Sequence, residues 1–160
     1  MLKFVCPLIC VEDMSRSRNF YNNILQQEVL YDFDENIQFK GGFSIHLKTH
    51  FQKLLGEETE YPVSFKTNNC ELYFETDELE NILKRLVENS IDIIHKIQEH
   101  PWGQRAMRFY DPDGHIIEIG EPMENVILRF HEQRLSFEDI SKRTSMPIKF
   151  VEQTVKERNI

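Results

Sequence analysis

The sequence predicts an α+β fold made of two β-α-β-β-β modules followed by a helical extension. Three observations predict it. A strand-like run, a capped helix and three short strand-like runs succeed one another between Lys3 and Leu47. The same order returns between Glu71 and Gly120. From Glu124 onward only helical spacing remains. An order that repeats over such a length indicates internal duplication.

In the first module Lys3–Val11 alternates and reads as a strand. Asp13 is placed to cap a helix over Met14–Ile24, whose apolar positions are Met14, Phe20, Tyr21 and Ile24. Glu28–Phe33, Ile37–Phe39 and Phe43–Leu47 follow as strands, separated by polar and Gly-Gly turns. Between residues 48 and 69 the pattern weakens. Phe51–Leu55 suggests one helical turn, and Pro62 interrupts anything longer. In the second module Glu71–Thr76 alternates, and Asp77 with Glu80 makes a capping-box-like start. Leu79, Ile82, Leu83, Leu86 and Val87 then form a helical stripe. Ile93–Ile97, Ala106–Tyr110 and His115–Gly120 complete it as strands, the last turn being Asp111-Pro112-Asp113-Gly114. There Pro112 presets φ and Gly114 accepts a positive φ. The expected division is residues 1–123 as one domain, with modules 1–48 and 69–123, and residues 124–160 as the extension. Within the extension Leu135–Ser145 and Pro147–Lys156 read as two short helices, with Ser136 as a cap.

Composition narrows the function classes. No apolar run approaches the ~18–20 residues of a membrane helix, and the first residues lack the apolar core of a signal peptide. Three cysteines, Cys6, Cys10 and Cys70, suit a reducing compartment better than a disulfide framework. A cytoplasmic protein is therefore expected. The net charge of −8 argues against nucleic acid and is compatible with a cationic ligand. No nucleophile-elbow, phosphate-loop or dinucleotide fingerprint is present.

Two stretches resemble a known family. Val11-Glu12-Asp13-Met14-Ser15-Arg16-Ser17-Arg18-Asn19-Phe20-Tyr21 looks like the first strand-to-helix passage of the vicinal oxygen chelate superfamily, which joins glyoxalases, bleomycin-resistance proteins and dioxygenases. Phe109-Tyr110-Asp111-Pro112-Asp113-Gly114-His115-Ile116-Ile117-Glu118-Ile119 looks like its closing hairpin. The resemblance spans roughly residues 2–123. It implies an eight-stranded curled sheet around a small-molecule cleft, and a homodimer. The fold alone does not fix the chemistry.

Alternation tells which side chains share a face. Cys6, Leu8 and Cys10 do so, as do Ser44, His46 and Lys48; Glu71, Tyr73 and Glu75; and Ile116, Glu118 and Gly120. The resemblance turns these sets toward the cleft. It also places the divalent-metal positions of metal-dependent relatives on Cys6, His46, Glu71 and Glu118. Zinc, nickel, manganese or iron would suit the His and Glu donors, with Glu71 and Glu118 doubling as proton carriers. The alternative for Cys6 is a small buried apolar residue. Glu71 and Glu118 are alternatively ion-pair partners of Arg105 or Arg108. The loop His100-Pro101-Trp102-Gly103-Gln104-Arg105 resembles a subgroup that uses its cleft without a catalytic metal. Trp102 offers a stacking surface, Tyr73 a hydroxyl, Arg105 an anion partner, and Cys6 and Cys10 further cleft contacts. The alternative for Trp102 is a core cap.

Two functions are thus expected. One is a metal-dependent lyase, isomerase or dioxygenase. The other is a non-catalytic protein that binds or sequesters an aromatic or cationic small molecule, with no metal. The extension resembles a helix-turn-helix hairpin, but its seven basic and six acidic residues leave a net charge of only +1. That favours packing or self-association over DNA contacts.

Overall fold

The computed structural model describes residues 1–56 and 62–158. Residues 57–61 of the connector and 159–160 of the extension lie outside the described residues.

Module one runs β1 (Leu8–Val11), α1 (Met14–Asn19), a π-helical turn Phe20–Ile24, β2 (Val29–Asp32), β3 (Asn36–Phe39) and β4 (Ser44–Leu47). α2 (Lys48–Leu55) follows. Module two runs β5 (Glu71–Glu75), α3 (Leu79–Glu88), β6 (Ile93–Glu99), β7 (Arg105–Tyr110) and β8 (Ile116–Gly120). The extension is α4 (Met123–Glu132), α5 (Phe137–Thr144) and α6 (Ile148–Arg158).

Both expected modules are present, but their eight strands do not join into one sheet. They hydrogen-bond as two four-stranded sheets, in the orders β1-β4-β3-β2 and β5-β8-β7-β6. Each module's first strand pairs with its own last strand, so each sheet is complete within its module. In the first sheet that pair is parallel, from Leu8 opposite Ser44 to Val11 opposite Leu47. This register also explains why β1 is shorter than the expected Lys3–Val11. Residues before Leu8 have no stretch of β4 to pair with, and Pro7 has no N–H to donate. Pro7 still accepts one bond from Ser44 N at 3.0 Å. The segment before it leaves Leu2, Phe4 and Val5 exposed.

By contact the chain divides into two compact units. One comprises Met1–Glu71, Glu88–Asp92 and Tyr110–Ile116; the other comprises Leu72–Val87, Ile93–Phe109 and everything from Ile117 onward. The first unit has an aromatic core in which Tyr21 packs against Phe20, Phe39 and Phe43. Here the two stretches that carried the resemblance meet. Asp111 accepts a 2.7 Å bond from the Tyr21 hydroxyl, and Asp113 accepts from Arg16 at 2.5 Å and Ser17 at 3.1 Å. Asp111 also receives its own turn, from Asp113 N at 2.9 Å and His115 N at 2.8 Å. Burial pushes the Asp111 carboxyl up, but bonds from His115 and Tyr21 and the His115 charge outweigh it, so the net shift is downward. Gly114 adopts φ +84 beside the Lys66 backbone, where a Cβ would lie 3.2 Å from its Cα. These residues hold a turn against a helix.

The second unit carries a core of its own in the extension. Val126, Ile127 and Phe130 of α4 pack with Ile140 of α5 and Val151 and Val155 of α6. Ser136 caps α5 as expected, accepting from Asp139 N at 3.1 Å. The expected cap Asp77 instead accepts from the Asn125 amide at 2.6 Å, and Thr76 takes Glu78 N.

Candidate functional site

In the first unit Cys6 lies before β1, half-buried, with its sulfur 3.3 Å from the Ser44 hydroxyl. Cys10 is half-buried in β1, and burial pushes its thiol pKa up. That disfavours the thiolate that a nucleophile or metal ligand needs. His46 is buried in β4. Its Nε2 shares a 2.7 Å hydrogen bond with His50 Nδ1 of α2, and its Nδ1 has no hydrogen-bond partner among the described residues. Burial and the neighbouring His50 charge lower the His46 pKa against a smaller opposing pull from Glu35. The ring is therefore a neutral base at pH 7. Glu71 is exposed at the start of β5.

In the second unit Glu118 is buried in β8 and forms an ion pair with Arg108 of the adjacent strand β7. Arg108 in turn lies 3.4 Å from His95 Nε2. The carboxylate that the resemblance offered to a metal thus lies against a guanidinium, although its Oε2 accepts no hydrogen bond among the described residues. Among the described residues no three of His, Cys, Asp and Glu gather closely enough to hold a metal ion. The pairing with Arg108 weighs against Glu118 itself as a metal ligand.

Arg105, expected to meet either a protein carboxylate or an anionic ligand group, contacts two protein carboxylates, Glu80 at 2.9 Å and the buried Glu121 at 3.4 Å. Glu121 also receives both Arg129 guanidinium nitrogens at 2.8 Å, and Arg129 reaches the Gly103 carbonyl at 2.5 Å. Burial raises the Glu121 pKa, but its bonds from Arg129 and Arg105 prevail and leave it lowered. Gly103 adopts φ +92, and a Cβ there would sit 2.2 Å from Phe130 Cζ. The glycine of the Pro-Trp-Gly run therefore does more than tighten a loop. It lets α4 pack directly on that loop.

Trp102 and Tyr73 are brought together, joined by a residue that sequence reasoning did not single out. Trp102 Nε1 donates to Gln104 Oε1 at 3.1 Å. Gln104 Nε2 donates to the Tyr73 hydroxyl and to the Glu121 carbonyl, both at 2.8 Å. Tyr73 then donates to Glu75 Oε1 at 2.7 Å. Burial, the bond to Glu75 and that carboxylate's charge push the Tyr73 pKa up to about 12, against a smaller lowering by Gln104. The hydroxyl stays protonated as a donor. Trp102 is 38% exposed, and His100 stacks on it at 4.4 Å with a 12° tilt. Burial, with Arg108 and His95 nearby, lowers the His100 pKa. No periodicity marks Gln104. The only sequence signal was its place between Gly103 and the strand carrying Arg105.

Two such modules, each a strand, a helix and three further strands whose first and last strands pair, define a duplicated β-α-β-β-β fold. The chain belongs to the glyoxalase-like domain family, whose profile matches residues 4–124. It is 27% identical over 113 residues to the metallothiol transferase FosB of Staphylococcus saprophyticus, covering 68% of this chain and 70% of that protein. A crystal structure of a protein of unknown function from Agrobacterium tumefaciens is 34% identical, with a TM-score of 0.70, over 76% of this chain and 95% of that one. The lactoylglutathione lyase of the same organism shares the fold at 16% identity and a TM-score of 0.60, over 77% and 96%. No helix among the described residues is long and apolar enough to cross a membrane.

Proposed function

We propose that this chain binds or sequesters a small aromatic or cationic molecule, in the manner of the bleomycin-resistance branch of its family, and does so without a metal ion at Glu118. The observation that carries this reading is the Arg108–Glu118 ion pair. A buried carboxylate needs a compensating charge, and here a side chain of the same sheet supplies it. Metal loading would have to displace that guanidinium and strand it. Trp102, Tyr73 and Glu75 supply the flat surface, the donor and the negative charge that such a ligand uses.

The protein is also proposed to be a cytoplasmic homodimer. Its three cysteines are unpaired, and Leu2, Phe4 and Val5 before β1, and separately Leu30, Tyr31 and Phe33 at β2, are exposed apolar side chains that a second copy could cover. A second reading, a metal-dependent lyase, isomerase or dioxygenase, is kept because a metallothiol transferase is among the relatives.

Elemental analysis of protein purified without chelator separates the two. The binding reading expects no stoichiometric zinc, nickel, manganese or iron, and ligand-induced thermal stabilisation that persists in EDTA. One ion per chain, lost in Glu118→Ala, would overturn it.

A further inference from the structure

The second unit contains a cavity of about 490 Å³, within the range of small-molecule sites. One side is the hydrogen-bonded chain from Trp102 through Gln104 and Tyr73 to Glu75. The other side comes from the extension: Met123 at the start of α4, and Thr144, Ser145 and Met146 in the turn between α5 and α6. The glyoxalase-like profile ends at residue 124. Thr144, Ser145 and Met146 of this wall therefore come from chain beyond the family match, and Met123 from its last residues.

The turn is fixed before any ligand arrives. Thr144 Oγ1 donates to the Ile140 carbonyl at 2.7 Å and accepts from Met146 N at 3.3 Å. Ser141 Oγ donates to the Met146 carbonyl at 2.7 Å. Ser145 holds the left-handed conformation at φ 59. The extension is clamped to the Trp102 loop by Arg129, which joins Glu121 to the Gly103 carbonyl, and by Phe130 against Gly103. A preformed wall loses little entropy on binding.

The lining also selects by charge. Among the described residues it holds one carboxylate, Glu75, an indole, a phenol and two thioethers, and no Lys, Arg or His; His100 lies behind the indole, stacked on Trp102. Indole and phenol faces attract cations, and thioethers contact aromatic edges.

We propose that the C-terminal helices complete a binding site for a planar organic cation, with Met146 in the α5–α6 turn setting its specificity. This inference rests on the small-molecule-binding reading and names the ligand class and the missing wall.

Trp102 is the sole tryptophan, so its fluorescence reports on the site directly. The full-length protein is titrated with N-methylquinolinium and, separately, with neutral quinoline. Saturable quenching by the cation, at least about tenfold tighter than by quinoline, is expected from the cation–π and carboxylate contacts. Glu75→Gln should remove that preference. Met146→Arg should weaken the cation about tenfold or more in protein that still unfolds cooperatively, while Met146→Leu, which keeps the packing of this position on the α4–α6 core, restores it. Quenching unchanged in Met146→Arg but lost in Glu75→Gln would overturn the role of the helices and leave the binding reading standing. No saturable quenching by either probe would overturn the ligand class. The binding reading itself is decided separately, by the metal analysis above.

Discussion

β4 and β8 hold the same place in their modules, each between that module's first and third strands, yet they treat their buried polar residue in opposite ways. His46 in β4 has a second imidazole, His50, as its partner and is kept neutral by burial. Glu118 in β8 instead meets Arg108 from the next strand. Duplication supplied the same backbone twice, but the side chain across the ladder decides what chemistry each copy can support. A neutral imidazole is a base without a substrate-facing charge. A carboxylate set against a guanidinium would have to give up that contact to bind a metal.

The largest way to break this contrast is to remove one half of the ion pair. Arg108→Ala leaves the Glu118 carboxylate buried and uncompensated, which should cost about 3–5 kcal/mol of unfolding free energy by urea titration. Gly103→Ala comes next. It combines a positive φ with a methyl group driven into Phe130, and about 3 kcal/mol of stability should be lost. If the extension docks as described, a smaller Phe130→Leu side chain should recover part of it.

His46 gives the pH arm of the comparison. Its folded pKa lies below the ordinary value near 6.5. Above 6.5 both folded and unfolded forms are neutral, so stability is flat with respect to this group. As pH falls below 6.5 the unfolded chain takes up a proton that folded His46 refuses. Stability then drops by up to about 1.4 kcal/mol per pH unit until the folded pKa is reached. His100, lowered in the same direction, adds to the slope, and His46→Phe should flatten only the His46 share. The smallest effect is Ser136→Ala, which removes the α5 cap at a cost of about 1 kcal/mol and should leave the pH profile unchanged.

Much of the fold was legible because both modules follow simple periods: two along the strands and the Leu79–Val87 stripe along α3. The Asp13 and Ser136 caps and the Asp111–Gly114 turn were legible from local chemistry. The truncation of β1 was not, because it depends on where β4 begins, a partner 36 residues along in the Leu8–Ser44 register. α2 reaches back to Lys48, past the Phe51 start that its apolar residues suggested. At the site, alternation correctly grouped Tyr73 with Glu75, and the pairing of Glu118 with Arg108 was one of two alternatives the charges allowed. Gln104, Met123 and Met146 escaped notice because each acts through contacts distant in sequence, on a turn or helix end where periodicity carries no information. Arg105 was read as reaching either a protein carboxylate or an anionic ligand group; its partner Glu121 was not singled out because it sits just past β8, in a segment with no pattern to mark it.

A double-mutant cycle on Arg108→Met and Glu118→Gln, run by urea unfolding in EDTA, tests most directly whether a side chain rather than an ion balances the buried charge. The two changes should be strongly non-additive, with a coupling of about 2 kcal/mol or more and a double mutant close to wild type in stability. Additive losses in EDTA, together with wild-type stability that rises on adding zinc and no longer does so in Glu118→Gln, would contradict the account.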